Sequence, residues 1–320
     1  MKVKDIEFTS SDHVIEEIRN MNVKGGSPFG RAAAWAYKLA LEKESLNSFN
    51  EITERLKEIS EQMISLKPTM ATIFNTKNLV YELIDGFANN TEVSLIKDKV
   101  IKLCENIISH SLDSVTKLGN VGSNIIQDGH VVMMHSYSST LMSIFTSAAE
   151  QGKSFEVICT ESRPLRESRL AVKILQSHNI KVTYISDASI WEFMPKADYI
   201  IMGADTIAWD GSVANKMGTA LISQLALVCK KPVYIASEVY KLDMRTMLGY
   251  PVLLERRTKD ELIIEKDDFD SFEGLDIINQ FFDLTPARNI TALITEYGVI
   301  APSNISGSWS SLREELLNIE

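Results

Sequence analysis

Apolar and charged positions alternate with helical spacing in the first part of the chain. Within residues 48–66, five apolar residues recur three or four positions apart and leave the charges on the opposite face. They are Ile52, Leu56, Ile59, Met63 and Leu66. Pro68 ends this helix, and further amphipathic runs follow it. We therefore predict a helical N-terminal domain at residues 1–120.

After Gly119 the pattern changes to short apolar runs that are separated by segments long enough for helices. The runs occupy residues 130–136, 155–162, 181–186, 198–205 and 231–237. Strands buried on both faces appear as continuous apolar runs, and alternation with helices is typical of βαβ units. The sequence thus predicts an α/β fold, with a Rossmann-like doubly wound, mainly parallel sheet domain at residues 121–320. From Phe282 onward the signals are mixed.

Composition narrows the classes of function. The 320 residues carry a net charge of −10, which argues against a domain that binds nucleic acid by neutralising phosphates. No apolar stretch is long enough to span a membrane, and the N-terminus lacks a signal core, so we expect a cytoplasmic protein. Cys104, Cys159 and Cys229 lie far apart and predict neither disulfides nor a zinc site. No metal or cofactor is expected.

Polar residues follow the predicted strands, where ligands bind in open parallel sheets. Ser136 follows the first strand and Arg163 the second, and Asp205 ends the fourth. Such positions also serve as helix caps, which is the simpler interpretation of Ser138 and Asp187.

Residues 203–219 predict an anion site. Asp205 places a carboxylate at the sheet edge, and Asp210-Gly211 predicts a tight turn. Asn215 and Lys216 are then expected to open a helix, whose amides together with the lysine would attract an anion. The segment has neither the Walker spacing nor the dinucleotide glycine fingerprint.

A second anion-site candidate lies near the N-terminus. Lys24, Gly25 and a helix that opens at Ser27-Pro28 could present positive charge and amides to a phosphate. The glycines could equally form only an interhelix turn. Arg163 would add a bidentate positive group, and the alternative for Arg163 is an ion pair with Glu161 or Glu167.

Seven sequence blocks carry a family resemblance between about Asn22 and Ser303. They read NVKGGSPFGRAAA, PTMATIFN, DGHVVMMHSYS, ESRPLRESR, GADTIAWDGSVANKMGT, KPVYIASEVYK and FDLTPARNITALITEYGVIAPS. The chain resembles the superfamily that joins the α, β and δ regulatory subunits of translation initiation factor eIF2B to two sugar-phosphate isomerases. Those isomerases act on methylthioribose 1-phosphate and ribose 1,5-bisphosphate. The resemblance implies a two-domain fold and dimers or dimers of dimers.

The same resemblance implies roles for individual residues. In the isomerases a catalytic cysteine follows the first strand and is partnered by the aspartate of the Gly-Ala-Asp block. Here Asp205 matches that aspartate, and Asn215 and Lys216 match residues that line the substrate, but the cysteine position is Ser136. A thiol can exchange protons near neutral pH, whereas a serine hydroxyl needs an adjacent base. The isomerases also have Arg-Gly where this chain has Lys24-Gly25.

Three functions are compatible with these features. We favour a non-catalytic, eIF2B-like regulatory or scaffold protein of translation initiation with a retained sugar-phosphate-type pocket, because Ser136 replaces the cysteine. Its expected partners are itself, initiation factor 2 or other eIF2B-like subunits, and a phosphorylated sugar or nucleotide. The alternative is an aldose–ketose isomerase similar to the ribose 1,5-bisphosphate enzyme, with Asp205 as a catalytic residue. A dehydrogenase would rest on sheet topology alone and lacks the glycine fingerprint.

Overall fold

A computed structural model describes residues 6–88, 90–263 and 271–319 of the chain. Within these residues the helices are α1 (Ser11–Arg19), α2 (Gly26–Lys43), α3 (Phe49–Leu66), α4 (Ala71–Asp85), α5 (Val93–Ser123), α6 (Ser139–Glu150), α7 (Ser168–Ser177), α8 (Ile190–Phe193), α9 (Thr219–Val228) and α10 (Ile305–Leu317). None of the described helices is long and apolar enough to cross a membrane.

The strands follow the change of pattern after Gly119. They are β1 (Val131–Met134), β2 (Glu156–Thr160), β3 (Lys181–Ile185), β4 (Tyr199–Gly203), β5 (Thr206–Ala208), β6 (Val213–Lys216), β7 (Val233–Ala236), β8 (Leu242–Asp243), β9 (Arg256–Arg257), β10 (Asn279–Gln280), β11 (Phe282–Thr285), β12 (Ala292–Thr295) and β13 (Gly298–Ile300). The five apolar runs correspond to β1, β2, β3, β4 and β7, so the predicted α/β fold class is confirmed.

The chain groups into two compact units. The first comprises Met1–Ser114, Glu238–Pro251 and Ile305–Glu320, and the second comprises Val115–Ser237 and Val252–Asn304. The first unit thus takes in two later segments, because α10 and β8 contact α4. The domain boundary that we predict at residue 120 stays a prediction.

Helix α3 shows how local pattern determines the first unit. Ser48 caps its N-terminus by accepting a hydrogen bond from the backbone N–H of Glu51 at 3.2 Å. Four residues of the predicted apolar stripe, Ile52, Leu56, Ile59 and Met63, have no exposed surface, and the fifth, Leu66, is half-buried at the end of the helix. Each such side chain contributes about 1.5–3 kcal/mol by leaving water.

The central sheet of the second unit has seven strands in the order β13-β12-β7-β4-β1-β2-β3. All described neighbours are parallel except β13, which runs antiparallel to β12. β2 and β3 follow β1 on one side of the sheet, whereas β4, β7, β12 and β13 follow one another on the other side. The strand order therefore reverses between β1 and β4, and in open parallel sheets ligands bind at that point, outside the carboxyl ends of the two strands. Ser136 follows β1 there, and Asp205 follows β4.

Beside this sheet, β5 and β6 form an antiparallel hairpin, and β11 pairs with the other edge of β6. Residues 209–211 form the turn, and Asp210 accepts the backbone N–H of Ser212 at 2.8 Å, so the predicted tight turn is confirmed. The prediction that Asn215 and Lys216 open a helix is wrong, because both lie in β6 and α9 begins at Thr219. They are held as a strand by β11, where Asn215 pairs with Asp283.

Candidate functional site

The loops after β1, β2 and β3 are joined by one carboxylate. Asp187 follows β3 and accepts the backbone N–H groups of Ser162 and Arg163 at 2.9 and 2.8 Å. Ser162 in turn accepts the backbone N–H of Ser136 through its Oγ at 2.7 Å. These bonds bring the predicted site residues Ser136 and Arg163 to one edge of the sheet. They also give Asp187 a structural role, although not as the helix cap that the simpler interpretation proposed, because its carboxylate bonds to the loop after β2.

Backbone strain is concentrated in these loops. Ser136, Ser162 and Arg166 have φ values of 65°, 57° and 58°, in the left-handed region that residues with a Cβ rarely adopt. Each such residue costs about 1–3 kcal/mol and persists where the surroundings impose it, often at functional sites. Ser136 therefore does not continue the extended conformation of β1.

His135 has both ring nitrogens engaged. Its Nε2 donates to the carbonyl oxygen of Met217 at 2.9 Å, so Nδ1 accepts from the hydroxyl of Thr160 at 2.7 Å. Burial lowers the pKa of His135, which keeps the ring neutral. Because its only acceptor nitrogen is taken, His135 does not serve as a base for Ser136.

Lys216 is the central cation of the β5–β6 hairpin. It is 4% exposed, and its Nζ lies 2.5 Å from Oε1 of Glu167. Burial lowers the pKa of Lys216, while Glu167 and Asp205 act in the opposite direction. Asp205 is half-buried at the start of the hairpin, where its backbone N–H donates to Ala214. The structure thus brings together the predicted residues Asp205 and Lys216.

Phe281 provides an aromatic surface for two cations. The Lys216 ammonium lies 3.2 Å from the ring centroid of Phe281, and the Arg257 guanidinium carbon lies 4.1 Å from it. Arg257 also pairs with Glu255 and Glu261 at 3.6 and 3.5 Å. The ring attracts both cations electrostatically and restricts where the Lys216 ammonium can move.

The predicted anion site at the N-terminus of α9 is already occupied by the chain's own carboxylate. Asp283 in β11 accepts the backbone N–H of Gly218 at 2.7 Å and that of Ala220 at 3.1 Å. Burial raises the pKa of Asp283 to about 6. Asn215 is bonded internally, since its Nδ2 donates to Oγ1 of Thr219 at 2.9 Å. A carboxylate of the chain thus lies at these amides, and the ligand role of Asn215 and Lys216 stays a prediction.

Arg163 does not form the ion pair that the alternative interpretation expected. Glu161 pairs with Arg166 at 3.5 Å, and Glu167 pairs with Lys216, so neither forms the proposed ion pair with Arg163. The structure leaves the ligand role of Arg163 a prediction. Sequence reasoning named Glu167 only as a partner of Arg163 and missed Asp283, which lies 65 positions from Gly218 and gives no local signal.

Lys24 and Gly25 belong to the first unit and are exposed at the start of α2. Gly25 is the N-cap with a φ of 92°, which favours glycine and supports the interpretation as a turn. In the same unit the fully buried Glu238 accepts from the hydroxyls of Ser27 and Ser111 at 2.5 and 3.2 Å. A carboxylate thus lies against the first turn of α2 as well. The ligand role of Lys24 and Gly25 stays a prediction.

Neither of the two buried cysteines replaces the missing thiol. Cys159 is fully buried in β2 and donates to the carbonyl of Thr160, and burial raises its pKa to about 12. Cys104 is also fully buried, and burial raises its pKa to about 12. Thiols with such pKa values stay protonated near neutral pH and do not act as acid–base groups there. Cys104 and Cys159 therefore do not supply the proton exchange that the resemblance assigns to a thiol.

Comparison with known proteins gives consistent results. The sequence profile of the Initiation factor 2 subunit family matches residues 22–302. The chain is similar to the ribose 1,5-bisphosphate isomerase of Methanocaldococcus jannaschii, with 34% identity over 97% of this chain and 96% of that protein. It is 33% identical to the protein of the same name from Pyrococcus furiosus, over 90% of each chain. A crystal structure of the Pyrococcus horikoshii OT3 translation initiation factor eIF-2B is similar with a TM-score of 0.73 and 26% identity, covering 91% of this chain and 97% of that one.

Proposed function

From the premise that the chain belongs to the Initiation factor 2 subunit family, we propose that it is a sugar-phosphate aldose–ketose isomerase that acts on ribose 1,5-bisphosphate or a close analogue. The observation that carries this proposal is the similarity, over nearly the whole chain, to isomerases of that name. The charge interaction between Asp205 and Lys216 supports it. These findings favour the isomerase over the non-catalytic function that the sequence analysis preferred.

The reaction defines what the chain must supply. To form the ketose, the C2 hydroxyl loses a proton, the C2 hydrogen moves with its electron pair to C1, and the C1–O4 bond breaks as O4 gains a proton. One group must therefore accept a proton and another must donate one. We assign the acceptor role to Asp205, because the neighbouring Lys216 ammonium stabilises its carboxylate.

Ser136 is the weak point of this mechanism. It lies where the isomerases are expected to carry the thiol, and a hydroxyl is a poor proton donor near neutral pH. Loss of a general acid–base group typically costs about 10²–10⁴ in rate. We therefore expect slow turnover, in which O4 receives its proton from water.

The experiment measures ketose formation from ribose 1,5-bisphosphate by the purified protein and its variants. Asp205→Asn should abolish turnover, and Ser136→Cys should raise kcat by about 10²–10⁴. Asp210→Asn is the matched control, because Asp210 lies on the same hairpin and its carboxylate bonds to the neighbouring Ser212. Absence of turnover in both the wild type and Ser136→Cys would refute the proposal.

Ser136 favours one second candidate, an eIF2B-like regulatory or scaffold protein. Such a protein would keep the pocket for a phosphorylated ligand and bind a second copy of itself, initiation factor 2 or other eIF2B-like subunits. The similarity to a solved structure named as translation initiation factor eIF-2B supports this candidate. Sedimentation of the purified protein with and without initiation factor 2 tests it, and a complex formed by a protein without turnover would favour it over the isomerase.

A further inference from the structure

The β6–α9 connection, residues 217–218, is held in place by a side chain of a distant strand. Asp283 in β11 accepts the backbone N–H of Gly218 at 2.7 Å and that of Ala220 at 3.1 Å, both through Oδ2. Gly218 is the N-cap of α9 and has no side chain with which to cap the helix. The carboxylate of β11 therefore takes the place of an N-cap side chain and fixes the start of α9.

The same connection contacts His135, the residue that precedes Ser136. The carbonyl oxygen of Met217 accepts a hydrogen bond from Nε2 of His135 at 2.9 Å, and the N–H of Met217 donates to Phe281 at 2.9 Å. A Cβ added to Gly218 would lie 3.1 Å from two atoms of the His135 ring. Because a close-packed interior transmits displacements, a shift of the β6–α9 connection would move this ring.

His135 links the connection to the loop that carries Ser136. Its Nδ1 accepts from the hydroxyl of Thr160 at 2.7 Å, so both ring nitrogens are bonded and a rotation of the ring would break a bond. Ser136 is the next residue in the chain, and its φ of 65° persists only where the surroundings impose it. Asp205 precedes the hairpin that leads into the same connection. The bonds of Asp283 thus act where the loop after β1 meets the hairpin.

We propose that Asp283 is a positioning residue that sets the separation between Ser136 and Asp205. It does so by holding the β6–α9 connection against His135, without contact to the sugar phosphate. This inference rests on the proposed function in that Ser136 and Asp205 are the two residues assigned to the reaction. Because Asp283 acts by accepting two backbone N–H groups, the proposal requires its oxygen and not its charge.

Hydrogen exchange of the Nε2–H of His135, measured by NMR on protein labelled with ¹⁵N-histidine, tests these contacts without substrate. Asp283→Ala removes the acceptor of two amides, so this exchange should accelerate roughly 10- to 100-fold. Asp283→Asn should stay within about threefold of the wild type, because one amide oxygen can accept both N–H groups as Oδ2 does.

Asp198→Ala is the matched control for the loss of a carboxylate that accepts a backbone N–H. Asp198 accepts the N–H of Val131 at 2.8 Å, at the amino ends of β4 and β1 and thus at the opposite edge of the sheet. This variant should leave the exchange of His135 within about threefold of the wild type. Unchanged exchange in folded Asp283→Ala, or equal acceleration in Asp283→Asn, would overturn the proposal.

Asp283→Glu provides the test if Asp283→Ala does not fold. The longer side chain keeps a carboxylate but moves it by about 1.5 Å, the length of one C–C bond. The exchange of His135 should then accelerate at least about threefold, because the β6–α9 connection must shift to keep its bonds. Exchange equal to that of the wild type would overturn the proposal.

Turnover separates a positioning role from a merely structural one. In the Ser136→Cys background, Asp283→Ala should lower kcat per folded molecule about 10- to 100-fold, because a misplacement of about 1 Å has an effect of this size. KM should stay within about threefold, since Asp283 does not bind the substrate. Asp283→Asn should restore most of kcat. A rise in KM with unchanged kcat in Asp283→Ala would count against the proposal.

The two proposals can fail separately. If the exchange results are as expected but neither the wild type nor Ser136→Cys converts ribose 1,5-bisphosphate, the positioning of His135 by Asp283 is supported and the isomerase proposal fails. If turnover is present but Asp283→Ala changes neither kcat nor the exchange of His135, the isomerase is supported and the positioning role fails.

Discussion

Gly218 provides a direct test of the packing that positions the hairpin. It precedes α9 with a φ of 109°, and a Cβ added to it would lie 3.1 Å from both Cε1 and Nε2 of His135. The His135 ring cannot move away without breaking a hydrogen bond, because its nitrogens are bonded to Thr160 and Met217. Gly218→Ala should therefore destabilise the protein both by backbone strain and by displacement of a buried ring.

The magnitude follows from these two contributions. A residue with a Cβ in this backbone region costs about 1–2 kcal/mol. Displacing His135 far enough to break one buried hydrogen bond costs about a further 1–3 kcal/mol. We therefore expect Gly218→Ala to lower the free energy of unfolding by about 2–5 kcal/mol.

Gly152→Ala is the matched control for the backbone contribution. Gly152 lies in the same unit with a φ of 81°, and a Cβ added to it would meet nothing within 4 Å. Urea unfolding of both variants should show that Gly152→Ala costs only about 1–2 kcal/mol. Equal losses in the two variants would refute the inference that His135 is held rigidly against Gly218.

Three further predictions concern individual side chains. Asp283 has a pKa raised from 3.8 to about 6, so its stabilising contribution is present below pH 3.8 and is lost as the pH rises through 6. Between pH 4 and 7, paired urea titrations should show the wild type losing about 2 kcal/mol relative to Asp283→Asn, and parallel curves would contradict this. Cys229 should react with a thiol reagent in the native protein much faster than Cys104 and Cys159, and three equally fast thiols would show that the two burial assignments are wrong. Glu238→Ala should lower the free energy of unfolding by about 2–4 kcal/mol, because two buried hydroxyls lose their acceptor, and an unchanged urea midpoint would argue against that bonding.

Part of the candidate site followed from the sequence. The position of Ser136 after β1 and of Asp205 after β4 followed from apolar runs, because a strand end can be located from local pattern. The turn at Asp210 followed from its residue types. The strand conformation of Asn215 and Lys216 did not follow from the sequence, because β6 pairs with β11, which lies more than 60 positions later. Strand pairing between distant segments is not encoded in local periodicity.

The sequence by itself determined the α/β fold class, the helical first part and the family. It did so because helical and strand periodicities are local and because the motif blocks are contiguous. Only the tertiary structure decided which charges meet. Glu167 contacts Lys216 from 49 positions away in the sequence, and Asp283 contacts the backbone of Gly218 from 65 positions away. The lysine and the helix amide of the predicted anion site are therefore both bonded to carboxylates of the chain. The order of strands in the sheets brings these distant residues together, and the chemistry of the site follows from the resulting pairs of charged and polar groups.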